Sequence, residues 1–360
     1  MLWQSFIYFA NIRPDYKWTY FANTVVYTFN KADRQDTAIA FWNTKSGEKY
    51  QKHVKSLLSV AAEGEHCVLA TKNDDNINPY GLILCNSLGT PVDSKYINIE
   101  PTFITMTSTH VFAASRESCF AWHFRTAKSW THLTLDAEKS GRRDRRERVF
   151  HIDDNPSGQE TATNYERMLE KSNDPICALT ASDTTLIIAR ESGSLQRYAL
   201  PSVALVNRYT LSSRPHHLAL NCNTTALSVV DVTGLLQFLD LDGSRGGNEG
   251  DILKFERKDV WDMKWATDNP DLFAMMEKTR MYIFRNLEPE EPILSSGYIC
   301  SFHDLEIKAV LLDEILRDPE NPTNDLLLEL EVKSLRDSRD LLEKVGIKDA
   351  QSFIEENPNP

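Results

Sequence analysis

The sequence predicts a mainly β protein: a WD40-type β-propeller of about seven blades, followed by the start of an α-solenoid. Three observations carry this. Short apolar runs with period-2 alternation are bounded by Asp, Asn, Gly and Pro turns, the pattern of antiparallel strands rather than helices. The ends of these runs recur at a nearly constant interval. After Lys333 the apolar spacing changes to that of a helix.

The elements follow in order. Leu2–Phe9 reads as a strand end that could help to close a ring, so the propeller's N-terminal strands are expected to be incomplete. The first full repeat is Trp18–Tyr50, with strands at Thr24–Phe29 and Thr37–Trp42. An aromatic residue ends the second of these, and Asn43 and a Gly-containing turn follow. That order matches the WD signature with Asn in place of Asp. Equivalent strand ends are expected at Cys85, Trp122, Tyr198, Leu239 and Phe284, at successive spacings from Trp42 of 43, 37, 76, 41 and 45 residues. Four of the five lie near the WD period of about 40–45 residues. The long interval holds an insertion, near 127–173.

A second landmark keeps the same period. About 20 residues before these ends lie apolar segments at Leu57–Val60, Phe103–Met106, Ile176–Leu179, Leu218–Leu220 and Val260–Trp265. Trp261–Asp262 mimics the WD dipeptide but falls in a first strand rather than a third. Gly297–Phe302, Lys308–Ile315 and Asp325–Val332 read as the closing strands. The propeller is thus expected over 1–333. Residues 334–360 read as the first solenoid helices, opening on Ser334 and stopping at Gly346.

Of the 360 residues, 41% are hydrophobic and 26% charged, enough apolar material for a large core. The net charge of −12 argues against a general nucleic-acid binder, which needs surplus Lys and Arg. The six Cys are scattered without a CxxC pair, so buried, reduced thiols and a cytosolic setting are expected. Met1–Ala10 is apolar but short and lacks a basic n-region, so neither a signal peptide nor a membrane span is expected.

Candidate chemistry is sparse. His216–His217 should point to opposite faces of a strand, one into the core and one outward, and His66–Cys67 likewise. Asp153–Asp154 and Asp240/Asp242 sit beside turns, where Asp serves backbone hydrogen bonding. Gly246–Gly247 reads as flexible linker. No nucleophile elbow, P-loop, HExxH or dinucleotide fingerprint occurs. No catalytic residue, metal site or cofactor is therefore expected. The run Gly141–Arg148 (GRRDRRER) reads as a solvated loop. Its Arg142, Arg143, Arg145, Arg146 and Arg148 are the candidate contact for an acidic partner or membrane phosphates. Of the seven Trp, all of which suit blade packing, Trp42, Trp261 and Trp265 are proposed structural anchors.

The run Asp259–Ile293 resembles the WD-repeat subunits of intraflagellar transport complex A. So do Asp174–Leu200, Tyr16–Thr28, Lys308–Pro319 and Ser334–Asn357. The likeness covers nearly the whole chain and corresponds to the second propeller and first solenoid helices of such a subunit. It implies a non-enzymatic scaffold in retrograde ciliary transport and cilium assembly, found in cytoplasm, axoneme and basal body. Its implied partners are the complex's other WD-repeat and TPR-type subunits and ciliary membrane-protein cargo, with peripheral membrane contact and no nucleic acid. The alternative is a coat-like trafficking adaptor that binds lipid or cargo tails, which liposome flotation with charge-reversed 142–148 would distinguish.

Overall fold

The structure is a computed structural model that describes residues 14–31, 36–74, 77–124, 147–151, 174–245, 247–290 and 292–332. It contains seven antiparallel sheets, each built from consecutive strands. Blade 1 is β1 (Trp18–Phe21), β2 (Thr24–Asn30), β3 (Thr37–Asn43) and β4 (Lys49–Val54). Blade 2 is β5 (Leu57–Glu63), β6 (His66–Lys72), β7 (Tyr80–Cys85) and β8 (Pro91–Ile97). Blade 3 is β9 (Phe103–Met106), β10 (His110–Ala114), β11 (Ser118–His123) and β12 (Glu147–His151). Blade 4 is β13 (Ile176–Ala181), β14 (Thr185–Arg190), β15 (Ser194–Ala199) and β16 (Ala204–Thr210). Blade 5 is β17 (Pro215–Leu220), β18 (Ala226–Asp231) and β19 (Leu236–Asp240). Blade 6 is β20 (Val260–Trp265), β21 (Leu272–Glu277) and β22 (Arg280–Arg285), edged by β23 (Glu288–Pro289) and β24 (Ile293–Leu294). Blade 7 is β25 (Tyr298–His303), β26 (Glu306–Val310) and β27 (Leu327–Glu331).

The first strands of successive blades touch one another in an unbroken cycle that returns from β25 to β1. They therefore surround the axis, and the sheets radiate from it. Each seam between neighbouring blades has its own apolar cluster, seven in all. This explains the sequence pattern. Middle strands are buried on both faces, so β3 (TAIAFWN) reads as a near-continuous apolar run, whereas the outer β16 (ALVNRYT) alternates. In β2, Val25 and Tyr27 face blade 7, whereas Val26 faces blade 2.

Turn chemistry suits the hairpins. Gly193, at φ +89°, links β14 to β15; a Cβ there would lie 2.5 Å from the Leu211 carbonyl oxygen, so the position requires glycine.

Several expectations are corrected. Lys308–Ile315 is not one strand: β26 ends at Val310, and Leu312–Ile315 forms a short helix, α1. Its Leu312 and Ile315 are both fully buried in the seam between blades 7 and 1. Leu312 and Ile315 face inward together because a helical turn brings residues three apart to one side. Blade 1 needs no earlier strand, because all four of its strands lie within 18–54. The insertion near 127–173 contains β12, the outer strand of blade 3. Gly247 belongs to an organised turn: Asp251 accepts the Asn248 N–H, and Gly250 N–H bonds to the Asp240 carbonyl. Residues 2–9 and 334–360, and Asp153–Asp154, lie outside the described residues.

Candidate interaction surfaces

The three Trp anchors sit at blade seams. Trp42 is fully buried beside Tyr27, Val310 and Ile315, between blades 1 and 7. Its indole N–H has no hydrogen-bond partner. Trp265 is buried between blades 5 and 6, edge-on to Phe238 and Phe273 at 5.2 and 5.1 Å, and donates to the Ala219 carbonyl at 3.2 Å. Trp261 is only half-buried. It donates to the Lys278 carbonyl at 2.9 Å and stacks edge-on with Tyr298 at 5.1 Å. A register irregularity between Val260 and Asp262 accounts for the difference: it takes Trp261 off the face that Val260, Met263 and Trp265 bury.

Tyr298 gathers Tyr16 and Trp18 as well, at 5.8 and 5.7 Å, so four rings bind blades 6, 7 and 1 together. The segment after β26 completes that closure. Tyr16 Oη donates to Asp313 at 2.5 Å, Tyr27 Oη donates to the Pro319 carbonyl at 2.8 Å, and Lys31 pairs with Glu320 at 2.5 Å. The hydrogen bond to Asp313, then burial, raises the Tyr16 pKa to about 12. Sequence reading missed this segment, because α1 is a single apolar turn indistinguishable from a strand in a string.

Arg148 lies on β12 rather than in a free loop, and its guanidinium donates to the Ser202 carbonyl of blade 4 at 2.6 Å. Arg142, Arg143, Arg145 and Arg146 lie outside the described residues.

The other polar candidates have structural uses. Asp240 accepts backbone N–H groups from Asp242, Gly243 and Arg245. Asp262, read from sequence only as part of a WD mimic, accepts the Ile299 N–H at 2.7 Å and ties blade 6 to blade 7. His216 and His217 are both exposed, and a register irregularity between Pro215 and His217 breaks the expected alternation. His110 stacks on His123 at 4.7 Å, and burial, then His123, pulls its pKa down to about 4. Five cysteines are buried and Cys222 is exposed, because it lies in the β17–β18 turn. Burial pushes the Cys119 and Cys300 thiols far up. Among the described residues no group of three or more His, Cys, Asp or Glu could hold a metal ion, and no helix is long and apolar enough to cross a membrane.

The family model of the WDR35 second β-propeller matches residues 18–331. WD repeat-containing protein 35 of Rattus norvegicus is 57% identical over 362 residues, and that of Homo sapiens 55% over 373. Each alignment covers 99% of this chain but only 31% and 32% of the relative, so the chain spans about a third of their length. Solved structures agree on the fold. The Cps50 (Swd1) β-propeller domain of Myceliophteria thermophila has a TM-score of 0.53 at 11% identity, over 80% of this chain and 89% of that one. Kluyveromyces lactis Hsv2p has a TM-score of 0.52 at 9% identity, over 83% and 89%. A closed ring of seven blades, matched from its first strand to its last, places the chain in the family of WDR35 second β-propellers.

Proposed function

We propose that this propeller is a non-enzymatic scaffold of intraflagellar transport complex A, serving retrograde ciliary transport, cilium assembly and entry of membrane-protein cargo. The observation that carries the reading is the ring with seven packed seams. Such a body has a rigid core and displays its connecting turns on two faces, where several partners can bind at once. The family membership and the resemblance of Asp259–Ile293 to the complex's WD-repeat subunits support the assignment. The partners on this reading are the other WD-repeat and TPR-type subunits and membrane-protein cargo, in the cytoplasm, axoneme and basal body. Peripheral membrane contact would run through 142–148.

The test is genetic replacement in ciliated cells. Removal of the full-length protein that contains this chain should give short cilia or swollen tips with stalled trains. Restoring it with 18–331 deleted should fail to recover the other subunits on affinity purification. Normal cilia and normal cargo entry after removal would refute the ciliary assignment.

A further inference from the structure

Cys67 and Cys85 face one another directly across the antiparallel pair of β6 and β7. Six residues along the same ladder the Asn73 N–H donates to the Pro79 carbonyl at 2.6 Å, so by alternation Cys67 and Cys85 form a hydrogen-bonded pair. Such a pair holds its Cα atoms about 5.5 Å apart, within the separation that disulfides adopt, about 4.4–6.8 Å. Opposed residues also share a face of the sheet. Both thiols therefore enter the seam between blades 1 and 2, among Phe21, Ile39 and Phe41, at 0% and 1% exposure. None of the other four cysteines opposes a second one. Cys119 lies across from Ala114 and Phe150, Cys177 and Cys300 sit at register irregularities, and Cys222 is in a turn.

The two thiols act on each other. Hydrogen bonding with Cys85, then burial, raises Cys67. Hydrogen bonding with Cys67 lowers Cys85, against burial and with help from Lys52 on β4. Cys85 is thus the better nucleophile of the pair, because the thiolate is the reactive form. It is also the nearer to solvent along the chain. Cys85 ends β7, immediately before the turn in which the Asn86 N–H bonds to the Thr90 carbonyl. On its other side it opposes Pro91, at a register irregularity in the β7–β8 pairing. Proline has no N–H to give to a ladder, so the ladder is weakest at that end. Local opening there admits a small oxidant without unfolding the blade.

We propose that Cys67 and Cys85 are a reversible oxidation site, at which a hydroperoxide converts the facing thiols into a cross-strand disulfide that locks β6 to β7. The Cys85 thiolate attacks a peroxide oxygen, the O–O bond breaks, and Cys85 becomes a sulfenic acid while the released hydroxide takes up a proton as water. The Cys67 sulfur then attacks the Cys85 sulfur. The S–S bond forms, the S–O bond breaks, and the departing hydroxide leaves as water with the Cys67 proton. With hydrogen peroxide the balance is two thiols oxidised by two electrons and one peroxide reduced to two waters. Opposed Cβ atoms stand about 4.5–5.5 Å apart, whereas a disulfide needs about 3.5–4.5 Å. The bond therefore forms under strain, and strained disulfides are the readily reduced ones. The proposal rests on blade 2 alone and is independent of the ciliary assignment.

The test treats the reduced 360-residue chain, at high dilution, with hydrogen peroxide. Remaining thiols are alkylated, the chain is digested without reductant, and linked peptides are identified by mass spectrometry. The expected product is a monomer lighter by two hydrogens in which the Cys67 and Cys85 peptides are joined, and dithiothreitol should restore both thiols. Cys119, Cys177 and Cys300 should react about tenfold or more slowly, because oxidation follows thiolate character and access. Cys67→Ser removes the resolving thiol, so Cys85 should then accumulate as a sulfenic acid that dimedone traps. Free Cys67 and Cys85 after Cys222 has been oxidised, or a linkage of either one to Cys222 instead, would overturn the proposal. So would formation of the joined peptides only after the chain is unfolded in urea. If Cys67→Ser does not fold, the linkage pattern of the unaltered chain decides.

Discussion

Ile315→Ala tests how the ring closes. Ile315 is fully buried on α1, against Trp42, Tyr27 and Val310, at the seam where the last blade meets the first. Truncating a buried Ile to Ala costs about 2–5 kcal/mol, the spread reflecting how far the surroundings collapse into the hole. The α1 turn is four residues long and has no side-chain cap. It can settle toward the cavity, so the lower part of the range applies, about 2–3 kcal/mol. For a domain larger than 150 residues that lowers Tm by roughly 4–10 °C. Tyr27→Phe is the companion change. It removes only the hydrogen bond to the Pro319 carbonyl and should cost about 1 kcal/mol. Thermal melts followed by far-UV circular dichroism and by Trp fluorescence provide the readout, because Trp42 lies in the same cluster. A Tm within about 1 °C of the unaltered chain for Ile315→Ala would refute closure through this seam.

Four further outcomes follow from the packing. Trp265→Ala should cost about 3–5 kcal/mol and Trp261→Ala clearly less, because only the former is buried; equal losses in urea titrations would contradict the placement. Trp42→Phe should be far milder than Trp42→Ala, because it keeps a buried ring where Ala leaves a large cavity, while both changes remove the same unpartnered N–H. His110 is held neutral by burial, so its contribution to stability is complete above about pH 6.5 and is lost as pH falls toward about 4; His110→Gln should flatten that part of the Tm-against-pH curve. A thiol reagent should label one cysteine quickly in the native chain, Cys222, and all six after unfolding.

Much of the ring was legible in the string. The strand ends expected at Cys85, Trp122, Tyr198, Leu239 and Phe284 all fall in third strands, and the five earlier landmarks fall in first strands. Periodicity survives because each blade repeats one hydrogen-bonding unit and must bury both of its faces. Blade 7 was less legible, because α1 interrupts it with Leu and Ile residues that serve a helical turn as well as a strand. The Trp anchors were readable as packing residues, but not their depth. Burial of Trp261 depends on the register irregularity between Val260 and Asp262 and on Tyr298, a residue 37 positions away.

The sequence by itself determined the repeat and the approximate blade count, because alternation and turn residues are local properties of the chain. Only the tertiary structure decided that the ring closes through α1 and Trp42, and that Arg148 is held on β12 by blade 4. Those depend on contacts between residues up to 297 positions apart, as between Tyr16 and Asp313, and no local pattern records which two distant faces will meet.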